Sequence, residues 1–248
     1  MANTFAPVPP GYRGVWSRTL LETPDGIDDS TFVRWMQLGR WHADLRVPLA
    51  ARADMPALPL AELNAQQTAL LATQQGFCGV TEVSQDAAGR ELCTWHRQLD
   101  YQPPRPTADT GEMVFKTPDC VIETGVHGVY REVWHRLPHS TGPLIALEGP
   151  NRADSLPITR LLIAGDYMMR VAPKAPKAPK APVGPDFEIS YGRLKGDCWT
   201  IEQSTLPELE GQQLAFTVKR LDADTARVQG DLQPVSWRVL EWRALDTV

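Results

Sequence analysis

What most constrains this chain is its succession of short apolar runs, rich in Val, Ile, Leu, Trp, Phe and Thr, each cut off by Gly, Pro, Asp or Asn. Runs of this length and composition read as strands. They fall at residues 12–22, 31–38, 40–47, 77–83, 91–101, 112–116, 120–124 and 130–137. A second series follows at 144–148, 159–171, 187–193, 199–204, 214–220, 226–229 and 236–243. One segment reads as helix, residues 60–75 (LAELNAQQTALLATQQ), where Leu60, Leu63, Leu70 and Leu71 recur at helical spacing. Many strands and one helix predict an all-β protein, and closed barrels are the arrangement that removes exposed strand edges.

Composition narrows the function classes. Of 248 residues 42% are hydrophobic and 22% charged, which is globular usage. The formal net charge is −5, and residues 1–126 carry 10 Lys+Arg against 15 Asp+Glu. No basic stripe offers itself to phosphates, so no nucleic-acid partner is expected. No apolar run approaches the ~20 residues that span a bilayer, so no membrane partner is expected either. The N-terminus lacks a basic start and an apolar stretch, which predicts a cytoplasmic protein. Its four cysteines, Cys78, Cys93, Cys120 and Cys198, are then free thiols. No pair of them has metal-ligand spacing, so neither metal nor cofactor is expected.

The chain also reads as two distant copies. Residues 14–22 (GVWSRTLLE) resemble 128–137 (GVYREVWHRL), and 43–48 (ADLRVP) resemble 167–173 (YMMRVAP). Each of the latter is followed by the odd segment of its half, the Ala/Leu helix in one and APKAPKAPKAP in the other. That proline-rich segment, in a loop over 172–185, predicts a solvated polyproline-II surface loop. The division suggested is 1–126 and 127–248, two tandem antiparallel barrels. Gly14-Val15-Trp16 at the first strand is the Gly-x-Trp with which lipocalin-type barrels open, so the barrels are expected to be calycin-like.

Residues 119–138 (DCVIETGVHGVYREVWHRLP) carry a resemblance to a known family. Cys120 followed by Glu123-Thr124-Gly125, then Arg131-Glu132 and Trp134, resembles the Hri family, proteins first noted in yeast as partners of a casein-kinase-like enzyme. Ser190-Tyr191-Gly192 and the stretch from Ser236 to Glu241 resemble that family's C-terminal region. The likeness implies two consecutive calycin-like barrels. It implies no reaction, carries over no catalytic residue, and its motifs do not encode the kinase partnership.

No H-E-x-x-H, G-x-S-x-G, P-loop or G-x-G-x-x-G occurs. Trp-His occurs three times, at Trp41-His42, Trp95-His96 and Trp134-His135. Neighbours on a strand face opposite sides. The apolar set Trp41, Ala43, Leu45, Val47 predicts that the indoles turn inward and the histidines outward or to an inter-barrel interface. The candidate ligand-binding residues are Arg34, His42, Arg46, His96, Arg131 and Trp134. The candidate acid–base residues are Glu123, Glu132 and His135. Three functions follow: a lipocalin-like carrier of a mostly apolar or aromatic metabolite, a cofactor-independent cyclase, isomerase or hydratase, or a protein-interaction scaffold. The first is the expectation, with a small hydrophobic ligand and a monomeric or homodimeric state.

Overall fold

The computed structural model describes residues 5–149, 158–172, 187–232 and 235–243. Of the expected polyproline loop over 172–185, Ala172 ends a strand and the remainder lies outside the described residues.

Nine strands build the first barrel: β1 (Gly14–Thr23), β2 (Gly26–Asp28), β3 (Phe32–Gln37), β4 (Trp41–Val47), β5 (Gln75–Gln85), β6 (Glu91–Asp100), β7 (Asp109–Thr117), β8 (Cys120–Gly125) and β9 (Arg131–Arg136). β2 and β3 pair with β1 at different heights and act as one interrupted stave. Antiparallel pairing of β1 with β9 closes the wall into eight staves. The second barrel comprises β10 (Leu144–Glu148), β11 (Arg160–Ala164), β12 (Tyr167–Ala172), β13 (Glu188–Lys195), β14 (Cys198–Ser204), β15 (Gln213–Arg220), β16 (Thr225–Gly230) and β17 (Val235–Arg243), closed by β10 against β17. The expected all-β, two-barrel architecture is present.

β9 corrects the expected boundary. The run 128–137 does not open the second barrel; it closes the first, so a division at 126/127 falls inside a closed sheet. Its likeness to the run 14–22 is a likeness between two adjacent staves that each face an indole to one core. The other correspondences hold by position. β4 and β12 are each the third stave, and the long segment of each half follows it.

The helix is shorter than its Leu spacing suggests. α1 spans Ala65–Leu71, and Asn64 starts it through a capping box with Gln67. Residues 60–62 form a separate 3-10 turn after Pro59.

Three apolar clusters hold the molecule. The first barrel is filled by Trp16, Trp35, Trp95, Trp134, Phe77 and Met113 with smaller neighbours. The second is filled by Trp199, Trp237, Phe216, Ile145, Leu147 and Leu161 with others. The third cluster lies between the barrels and joins Met36, Trp41, Ala43, Leu45 and Val47 to Leu162, Met169, Val171, Ile189 and Tyr191. β4 is therefore buried on both faces.

A charged, aromatic cavity in the first barrel

The two ends of the first barrel differ. At one end β1 begins, preceded by the 3-10 turn Pro10–Tyr12. Trp16 is fully buried there, its Nε1 donates to Tyr12 O at 2.7 Å, and it packs on Trp35 and Phe115. Tyr12, Val8 and Met113 complete this plug. At the other end, the C-terminal ends of β1, β4, β6 and β8 and the N-terminal ends of β3, β5, β7 and β9 surround a cavity of about 310 Å³. Trp35, Phe77, Trp95, Trp134 and Tyr130 supply its aromatic surface.

Most of the rest of its wall is charged, beside Leu21, Pro48 and a few Thr and Gln side chains. Glu132 Oε1 accepts from Arg18 at 2.7 Å and lies 3.6 Å from the Arg46 guanidinium. Arg18 also holds Asp28 at 2.7 Å, and Arg46 Nε donates to Asp44 at 2.8 Å. Arg97 bridges Asp100 and Asp109 and lies 3.6 Å over the Phe77 ring. Buried pairs of this kind stand only because each charge meets an opposite one at hydrogen-bond distance.

Glu123 departs from that pattern. It sits opposite Glu132 in register, both pointing inward. Its partners are neutral donors: the Tyr130 hydroxyl donates to Oε1 at 2.7 Å and Trp134 Nε1 donates to Oε2 at 3.1 Å. Burial, reinforced by the Glu132 charge, pushes its carboxyl well above the usual range. Burial also raises Asp44 and the Tyr130 phenol. Gly111 makes room for this side chain, since a Cβ there would lie 2.5 Å from Glu123 Cγ.

The structure separates the candidate residues. Glu123, Glu132, Arg46 and Trp134 line the cavity. His42 points inward, against the expected parity, but lies toward the plugged end, where Nδ1 is 3.0 Å from Thr81 Oγ1. Burial, with the charges of Arg97 and His96, drops its pKa to about 3, so it is a neutral core histidine. Arg34 lies outside the wall, over the rings of Phe32 and Tyr191. His96 is on the outer surface beside Glu82 and stacked on Phe5. Arg131 pairs with Glu22, each with 42% of its side chain exposed, and His135 is exposed. These five residues are not brought to the cavity. The parity error on β4 has a physical cause: its indole side packs on the second barrel, and Asp44 and Arg46 face the lumen. On β6 and β9 the indoles do turn inward.

Arg18, Asp28, Arg97, Asp109 and Tyr130 were not anticipated as site residues. A signal for several of them existed. Residues two places along a strand share a face, so an inward Trp16, Trp95 and Trp134 implies an inward Arg18, Arg97 and Glu132.

The fold and cavity define a tandem-barrel protein compatible with lipocalin-like architecture. It is similar to a crystal structure of the uncharacterized protein YLR301w from Saccharomyces cerevisiae, with a TM-score of 0.62 and 13% identity, over 93% of this chain and 99% of that one. At that identity the likeness establishes the shared fold. No family model matches the sequence, and no curated protein matches it. No helix among the described residues is long and apolar enough to cross a membrane.

Proposed function

We propose that the first barrel binds a small molecule in this cavity. The observation that carries the reading is a plugged cylinder whose open half holds about 310 Å³ of space between indole rings and ion pairs. Pockets for small ligands start near ~300 Å³ and combine aromatic walls with a few convergent polar groups. The second barrel packs Trp199 and Trp237 among aliphatic neighbours.

The expected mostly apolar cargo is narrowed by the wall. A purely aliphatic chain would strip water from Arg18, Arg46, Arg97 and their carboxylates without replacing its hydrogen bonds. An aromatic ring bearing polar groups satisfies both the indoles and the ion pairs. Native mass spectrometry of freshly purified protein, with tryptophan emission titrated against a panel of aromatic acids, amines and fatty acids, tests this. Saturable quenching by an aromatic member, weakened by Trp134→Leu and untouched by Trp237→Phe in the second barrel, is the expected result. Quenching that follows the second-barrel variant instead would overturn it.

A further inference from the structure

The charge pairing inside the cavity is incomplete on one side. Its carboxyl groups are Asp28, Asp44, Asp109, Glu123 and Glu132. Its guanidinium groups are Arg18, Arg46, Arg97 and, at the rim, Arg105. Arg18, Arg46 and Arg97 are each held by one or more carboxylates. Glu123 forms no ion pair among the described residues and is held by Tyr130 and Trp134 alone.

We propose that the cavity is built for a small organic cation carrying N–H donors on a planar frame, with its positive end set against Glu123 and its ring between the indoles. This rests on the reading of the cavity as a ligand site and specifies what enters it. Beside Glu123 an anion would have to draw Arg18, Arg46 or Arg97 away from a carboxylate; the guanidinium held by no carboxylate among the described residues, Arg105, is exposed at the rim and bonded to Gln75. A cation breaks no ion pair and displaces only the Glu123 proton. Each Glu123 oxygen keeps a second lone pair for an incoming N–H. The surrounding rings add the attraction of aromatic faces for positive charge, which Arg97 over Phe77 already exploits. A metal ion is a poorer occupant, since among the described residues no three His, Cys, Asp or Glu side chains are grouped to hold one.

The groups facing Glu123 set the proton balance of binding. They are Glu132 and Tyr130 from the β9 side, Asp109 from β7, Cys93 from β6 and Arg46 from β4. The carboxyl proton is retained while the site is empty. An arriving cation stabilises the carboxylate, so the proton leaves to solvent as the cation binds.

Three isosteric probes test this on the full chain: benzamidine, benzamide and benzoate, carrying positive, no and negative charge. A charge-assisted contact predicts benzamidine bound roughly tenfold or more tighter than benzamide, with benzoate weakest. Calorimetry in buffers of different ionisation enthalpy should show proton release, and benzamidine affinity should rise with pH. Glu123→Gln, checked for folding by circular dichroism, should bring benzamidine and benzamide level. If benzamide or benzoate binds as tightly as benzamidine to the unmodified protein, the cation assignment is wrong and the ligand-site reading stands. If none of the three perturbs tryptophan emission up to its solubility limit, both fall.

Discussion

At the scale of single residues, the cavity works by separating two carboxyls that strand pairing places side by side. Glu132 is held by Arg18 and Arg46, whereas Glu123 meets only a phenol and an indole, and burial beside Glu132 pushes its carboxyl well above the usual range. Like charges directly opposite on paired strands are destabilising, and protonation of one partner removes the repulsion. A group whose folded pKa is raised contributes stability that is complete below the unfolded value and is lost as pH rises. In the window where only the unfolded chain ionises Glu123, the loss is about 1.4 kcal/mol per pH unit. Glu123→Gln removes this dependence and keeps the shape. Its melting temperature relative to wild type should therefore climb as pH rises above the ordinary carboxyl range, by roughly 2–4 °C per kcal/mol in a chain of this size. Thermal melts from that range upward decide it; a constant difference would mean that Glu123 is ionised in the folded protein.

At the scale of elements, β4 is the strand on which the two barrels depend. Its outward face gives Trp41, Ala43, Leu45 and Val47 to the interface, and Arg160 of β11 lies 5.0 Å from the Trp41 ring. Its inward face gives His42 to the plugged end and Asp44 and Arg46 to the cavity. Trp41→Ala should cost about 3–5 kcal/mol in chemical denaturation, as a large buried side chain does, with the cavity's ligand response retained. Arg46→Ala should cost a similar ~3–5 kcal/mol through the stranded Asp44 carboxylate, Glu132 keeping Arg18, and should alter that response where Trp41→Ala leaves it intact. These two neighbouring faces also explain how much was legible in the sequence. The strands, the short helix and the inward Trp95 and Trp134 follow from period and turn residues, which act locally. β4 misleads because an apolar face signals burial without saying against what. A lumen lined by Arg and Asp is invisible to a rule that equates inside with apolar. The run 128–137 misleads likewise, because pattern alone does not distinguish the closing stave of one barrel from the opening stave of the next.

At the scale of the whole molecule, the barrels are joined by polar contacts as well as by the shared apolar cluster. The Glu241 carboxylate of β17 accepts from the backbone N–H groups of Gly39 and Arg40, at 2.7 and 3.0 Å, and so caps the β3–β4 turn of the other barrel. A Cβ at 39 would meet Glu241 Oε1 at 2.5 Å and push the carboxylate aside. Arg52 reaches across to Glu210 at 2.8 Å and to the Ser204 carbonyl, and Gln74 donates to Thr205 O at 3.0 Å. With the interface cluster removed from water only in the joined state, neither barrel has its outer β4–β11 face satisfied alone. One cooperative unfolding transition is therefore expected, although each sheet is closed on itself. Glu241→Ala loses charge-assisted bonds and should cost about 1.5–3 kcal/mol, and Gly39→Ala should disturb the same contact from the other side. Because both act on one contact, the double variant should cost clearly less than the sum of the singles, as residues in direct contact do. Strict additivity, or a melt that splits into two steps, would show that the barrels fold as independent units and that the β3–β4 turn is only apposed to Glu241.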